Sequence, residues 1–269
     1  MGRLADTFAR LRRAGQPGLV TYTTAGDPDL LRSAAILTAL DRAGADVLEV
    51  GVPFSDPLAD GPVIQRATER ALKAGGSLRA TLHMIRTIRA EVKAPIVLFT
   101  YANPIARLGD VAFAGAAAEA GVDGVLVLDL PVEEAGGFRE TLTAAGIDTI
   151  FLLSPTTTDA RIKRAGELGS GFLYCISRLG VTGARETVAA DAGALVRRIR
   201  AHTDLPVALG FGLSKPEHVA EVGSYADAAV VGSALVSRIA QGLDSPTLVE
   251  DVAAYVGGLK RACETARVG

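Results

Sequence analysis

Glu49 interrupts an otherwise apolar run, V-L-E-V-G, and the loop that follows, P-F-S-D-P-L-A-D-G-P, carries Asp56 and Asp60. An ionised, unpaired glutamate inside an apolar strand is expensive. Either its pKa rises and it stays neutral, or it is satisfied by backbone or by an arginine. A carboxyl of raised pKa suits general acid–base catalysis, and a structural glutamate is the alternative. Asp56 and Asp60 stand beside Pro57 and Gly61, where aspartates commonly form turns. Residue pattern alone does not choose between them.

A second group reads as an anion site. Gly180-Val181-Thr182-Gly183, Gly210-Phe211-Gly212-Leu213-Ser214 and Gly232-Ser233 each follow a short apolar run. Glycine lets backbone N–H groups approach a phosphate, and a helix N-terminus adds its dipole. Tight turns between elements would also use glycine. The three together point to a phosphorylated substrate.

Other chemistries lack their residues. The five lysines, Lys73, Lys93, Lys163, Lys215 and Lys260, fall in segments that read as helices or turns, so no Schiff-base lysine is placed. His83, His202 and His218 are scattered without ligand spacing, so no metal site is expected. Cys175 and Cys263 form neither a disulfide framework nor a zinc motif and read as buried thiols.

These groups need a scaffold. Eight short β-rich apolar runs recur at 19–23, 47–50, 96–101, 125–128, 149–153, 172–176, 207–209 and 229–231. Between most of them lie segments of helical period, such as Leu78, Leu82, Ile85 and Ile88 on one face with Arg79, Arg86 and Arg89 elsewhere. Strand then helix, repeated, implies parallel pairing. The repeats Ala-Gly-Ala-Asp (43–46), Ala-Gly-Val-Asp (120–123) and Ala-Gly-Ile-Asp (145–148) each close a helix with glycine and lead into a strand. Eight such units without a long linker fit a closed (β/α)8 TIM barrel, an α/β fold, better than an open Rossmann sheet. The long interval between the second and third strands predicts an extra helix at 63–74. In such barrels chemistry sits at the C-terminal strand ends, where Glu49 and the glycines stand.

Length and composition agree. A chain of 269 residues, 49% hydrophobic and 22% charged, can form a single domain over 1–269. A net charge of −2 leaves no basic excess for nucleic acid or an anionic membrane surface. No run approaches a membrane span, and the N-terminal segment lacks a secretory core, which predicts a soluble cytoplasmic protein. The Arg-rich start could mimic a transit peptide. Leu4, Phe8 and Leu11, at helical spacing, instead predict a helix packed on the domain.

The run E-V-G-V-P-F-S-D-P-L-A-D-G-P resembles the signature of tryptophan synthase alpha subunits. The likeness continues through Thr24-Ala25-Gly26-Asp27-Pro28, Tyr101-Ala102-Asn103-Pro104, Asp129-Leu130-Pro131 and Ser177-Arg178-Leu179-Gly180-Val181-Thr182-Gly183, and covers essentially the whole chain. The resemblance implies retro-aldol cleavage of indole-3-glycerol phosphate to indole and glyceraldehyde 3-phosphate. Glu49 would protonate C3 of the indole and help deprotonate the glycerol hydroxyl, and Asp60 would hold the indole N–H. The protonated indole then serves as the electron sink, so neither metal nor Schiff base is needed.

By the same resemblance Tyr174 positions Glu49; Gly183, Gly212, Gly232 and Ser233 hold the phosphate; and Tyr22, Phe99, Leu126, Leu152 and Phe211 line the indole pocket. Ordinary barrel core is the alternative for these apolar side chains. The loops 53–60 and 179–187 would close over substrate and communicate with a beta subunit that carries pyridoxal phosphate, with Arg178, Thr182 and Arg185 serving closure and docking. This chain itself would need no cofactor. Ser154 and Thr156–Thr158 depart from a proline-rich stretch of some members, which touches pocket detail only. A free-standing lyase that releases indole, a barrel that mainly activates its partner, and a sugar-phosphate isomerase are the rival readings.

Overall fold

The computed structural model describes residues 2–176, 185–210 and 212–265, with side chains for all of these except 185–191. Eight parallel strands close in chain order into a barrel: β1 (Gly18–Thr24), β2 (Val47–Gly51), β3 (Ile96–Thr100), β4 (Gly124–Val127), β5 (Asp148–Leu153), β6 (Leu173–Ile176), β7 (Val207–Gly210) and β8 (Ala228–Val231). Each of the eight expected runs is a strand. β8 pairs with β1, so no edge is left open.

Alternation along each strand separates two apolar layers. Val20, Val47, Val97, Leu126, Ile150, Phe172, Ala208 and Val230 fill the barrel interior, while Leu19, Leu48, Leu98, Leu173 and Leu209 face the surrounding helices. The N-terminal helix Arg3–Ala14 turns Leu4, Phe8 and Leu11 inward and joins the interior cluster. Phe8 meets Phe172 with ring centroids 5.5 Å apart. The helix expected from that spacing therefore plugs the N-terminal end of the barrel.

The glycines of the Ala-Gly-x-Asp repeats take the left-handed backbone that closes a helix without a Cβ clash, with φ of 97° at Gly44, 85° at Gly121 and 74° at Gly146. The aspartates do more than end a turn. Asp46, just before β2, accepts a hydrogen bond from the backbone N–H of Leu19 at the start of β1 (2.9 Å), and Asp123, just before β4, accepts one from Ile96 at the start of β3 (2.8 Å). Asp227 does the same for Val207 of β7 (2.8 Å). Ser170 takes the equivalent place before β6, its Oγ accepting from Thr149 of β5 (3.0 Å). Each satisfies a strand-start donor that the barrel ladder leaves unpaired.

The extra helix expected after the second strand spans Pro62–Lys73, with Pro at its first turn, and precedes the helix Leu78–Ile88. Its Arg70 donates two hydrogen bonds of 2.8 Å to Asp27 in the loop after β1. Asp27 is 1% exposed, so the pair fixes this helix against the barrel mouth. Among the described residues no helix is long and apolar enough to cross a membrane.

Candidate active site

Glu49 faces the barrel interior from β2, directly beside Tyr22 in the register with β1. It is 0% exposed, and neither carboxylate oxygen has a hydrogen-bond partner. The alternative of a glutamate satisfied by backbone or arginine is thus absent among the described residues. With no donor to offset desolvation, burial pushes the carboxyl up to about 8. At neutral pH it is a neutral acid inside an apolar barrel.

Aromatic side chains make that environment. Tyr22 of β1 and Phe99 of β3 meet edge to face at 5.2 Å, and Phe99 lies 6.5 Å from the ring of Tyr174 on β6. Burial first, and then the Glu49 carboxyl, hold the Tyr174 phenol well above its ordinary pKa. Two strand glycines leave room for the tyrosines: a Cβ on Gly51 would lie 2.2 Å from Tyr22 Oη, and one on Gly210 would lie 2.9 Å from Tyr174 Oη.

The geometry separates the two loop aspartates. Asp56 is exposed and accepts a hydrogen bond from its neighbour Ser55. Asp60 is partly buried, and its Oδ2 accepts a 3.0 Å hydrogen bond from the Tyr101 hydroxyl. Burial raises the Asp60 pKa, and the Tyr101 donor pulls against it. Tyr101 Oη in turn accepts from the backbone N–H of Ala59 (3.0 Å), and Gln65 Nε2 donates to the Asp60 carbonyl (2.9 Å). The end of β3 and the extra helix therefore hold the loop that carries Asp60. Neither Tyr101 nor Gln65 is singled out by the sequence pattern; the tyrosine's place in Y-A-N-P at a strand end is the one signal available.

Gly212 (φ 70°), Gly232 and Ser233 line one cavity of about 320 Å3 with Tyr174, Gly210 and Ser214. Ser233 opens the helix Ser233–Gln241, capped by Gly232, so unpaired first-turn N–H groups and the positive end of a helix dipole stand at this cavity. Such an end attracts a phosphate.

The expected indole-pocket residues divide. Tyr22 and Phe99 surround Glu49. Leu126 is 0% exposed within the interior layer, as ordinary core would be, and Leu152, beside Tyr174 in the register of β5 with β6, packs on that layer with Phe99 and also lines a cavity of about 290 Å3 between the loops after β4 and β5. Ser154 and Thr156–Thr158 form a turn knitted by Ser154–Thr157 hydrogen bonds and held by Arg198. Gly183, Phe211, Arg178 and Thr182 lie outside the described residues, as does 179–184 of the second loop; Arg185 begins the helix Arg185–Arg200. Among the described residues no group of three His, Cys, Asp or Glu stands together as a metal site.

The family model for the tryptophan synthase alpha chain matches residues 8–264. The tryptophan synthase alpha chain of Solibacter usitatus is 48% identical over 261 residues, covering 97% of this chain and 98% of that protein. That of Burkholderia thailandensis is 47% identical over 267 residues, covering 99% and 98%. Among solved structures, tryptophan synthase subunit alpha from Legionella pneumophila superimposes with a TM-score of 0.92 at 36% identity, covering 98% of this chain and 99% of that one. A chain of Mycobacterium tuberculosis tryptophan synthase does so with a TM-score of 0.89 at 38% identity, covering 100% and 99%. With a family model spanning nearly its whole length and relatives near half identical end to end, the chain belongs to the tryptophan synthase alpha chain family.

Proposed function

We propose that Glu49 and Asp60 are the carboxylates with which this lyase cleaves indole-3-glycerol phosphate into indole and glyceraldehyde 3-phosphate, the alpha reaction of tryptophan synthase in L-tryptophan biosynthesis. The observation that carries the assignment is Glu49 itself, wholly buried, unpartnered and neutral at physiological pH.

A neutral Glu49 gives its proton to C3 of the indole ring. The ring becomes a cation with its charge shared onto nitrogen, and Asp60 accepts a hydrogen bond from that N–H. The carboxylate left on Glu49 then takes the proton of the glycerol hydroxyl next to the ring. The O–H electrons form the aldehyde carbonyl, the C–C bond breaks, and its electron pair restores the neutral indole. Protons and electrons balance within the site, with the substrate's own ring as sink.

Tyr174 packs beside Glu49 and restricts where its carboxyl can point. Gly212, Gly232 and Ser233, together with Gly183, hold the phosphate, and Tyr22, Phe99, Leu126, Leu152 and Phe211 give the indole an apolar wall. Arg178 and Thr182 serve loop closure. The beta subunit, bearing pyridoxal phosphate, receives the indole in a cytoplasmic alpha2beta2 complex whose two sites are allosterically coupled. Leu58, 91% exposed in the loop that carries Asp60, is an apolar contact point that supports docking at this end of the barrel.

The test is cleavage of indole-3-glycerol phosphate by the purified chain, with and without a beta subunit, alongside Glu49→Gln and Asp60→Asn. Slow cleavage alone, faster cleavage with the partner, and a loss of about 100-fold or more in each variant are expected. A Glu49→Gln variant retaining a tenth of wild-type activity would remove Glu49 from the chemistry. Fast cleavage unaffected by the partner would make the chain a free-standing lyase.

A further inference from the structure

We propose that Tyr22 is a positioning residue for the acid–base carboxyl: its ring, seated over Gly51, closes the mouth-side path by which water would reach Glu49 and so keeps that carboxyl protonated. The inference rests on the reading of Glu49 as the acid–base group.

Register supplies the first step. Tyr22 and Glu49 are paired across β1 and β2, and both face inward; Gly51, two residues further along β2, also faces inward and lies nearer the mouth. A side chain at 51 would cover Glu49 from above. Glycine stands there instead, and the tip of the Tyr22 ring occupies the vacancy, with Oη 2.2 Å, Cζ 2.6 Å and Cε2 2.9 Å from where a Cβ would be. Tyr22 therefore crosses from β1 to β2 on the mouth side of Glu49. Phe99 braces it edge to face at 5.2 Å from β3, and Ile64, Ala67 and Val236 complete the cluster behind it. The cover is held on three sides.

Glu49 needs such cover because nothing else keeps it neutral. No hydrogen bond fixes its proton, and exclusion of water alone raises its pKa. The titratable groups that act on this pair, among the described residues, are Tyr174 from β6, Asp60 from the loop after β2 and Tyr101 from the end of β3. None is a cation. Burial first, then the Asp60 and Glu49 carboxylates, hold the Tyr22 phenol above its ordinary pKa against the pull of the Thr24 hydroxyl, so Tyr22 stays a neutral cover.

The experiment follows the carboxyl directly by carbon-13 NMR of glutamate-labelled protein, the Glu49 resonance being the one absent from Glu49→Gln. Tyr22→Phe keeps the ring and should titrate within about 0.3 pH unit of wild type, whereas Tyr22→Ala admits water and should lower the midpoint by about one unit or more toward an ordinary glutamate. A folded Tyr22→Ala, with an unchanged circular dichroism spectrum, that titrates with wild type overturns the proposal. Should Tyr22→Ala not fold, Tyr22→Leu takes its place. Its side chain stops short of the seat over Gly51, the same fall is expected, and an unchanged midpoint overturns the proposal equally. Retained cleavage by Glu49→Gln would defeat the functional reading and leave the titration result standing.

Discussion

A carboxyl kept neutral by burial alone has a thermodynamic signature. Glu49 holds its proton in the folded protein up to about pH 8, while in the unfolded chain it releases it near the ordinary value of 4.5. Between those values the folded state binds more protons than the unfolded state, so this group's contribution to stability is fully present below about pH 4.5 and falls as pH rises toward 8. Glu49→Gln cannot ionise and escapes that loss. Thermal unfolding from pH 5 to 9 should therefore show the variant gaining on wild type with rising pH, at up to about 1.4 kcal/mol per unit. A constant offset across the range would contradict a buried neutral carboxyl. Glu49 was legible from sequence because its type clashes with an apolar strand. Asp60 was not separable from Asp56, since what distinguishes them is a hydrogen bond from Tyr101, 41 residues further on. The Tyr22–Gly51 packing is equally invisible until the strands are in register.

Strands and helices were legible where period and length are clear, and less so where a short element depends on tertiary caps. The eight apolar runs are the eight strands, and the extra helix falls at Pro62–Lys73. The helix Ala102–Leu108 went unread: seven residues with an internal Pro104 carry too little periodicity, and its first turn is held by Asp129 accepting from Ala102 N–H (2.7 Å). The Ala-Gly-x-Asp repeats gave away their glycines as helix stops, but not Asp46 and Asp123 as caps of the preceding strand, because that partner is on another element. Asp123 is 8% exposed and bonded to Ile96 N–H and to Arg3 and Arg89. Asp123→Ala leaves a strand-start donor unpaired and takes the carboxylate from Arg89, which keeps its bonds to the Val92 and Ala94 carbonyls, and should lower stability by about 2 kcal/mol in urea unfolding. Asp123→Asn retains an acceptor and should lose distinctly less. Equal losses in the two variants would mean that the charge, and not the strand cap, carries the effect.

The two ends of the barrel do different work. At the N-terminal end Leu4, Phe8 and Leu11 fill the opening against Phe172 with apolar contacts. At the C-terminal end the interior holds an unpartnered Glu49, a phenol-bound Asp60 and a cavity lined by Gly210, Gly212 and Gly232. Such a mouth sacrifices stability for chemistry, and the packed floor offsets it. Phe8→Ala opens a cavity at the floor, far from the reacting groups, and should lower stability by about 3 kcal/mol while leaving kcat/KM within about twofold at 25 °C. Asp60→Asn should do the reverse, abolishing most cleavage while shifting stability by less than about 1 kcal/mol, since its partner Tyr101 can still donate to the amide oxygen. Measured together, urea midpoints and kcat/KM for the two variants should fall on opposite axes. A Phe8→Ala variant that loses activity as steeply as stability would show that floor and mouth are coupled through the interior layer, and that the plug positions Glu49 as well as closing the barrel.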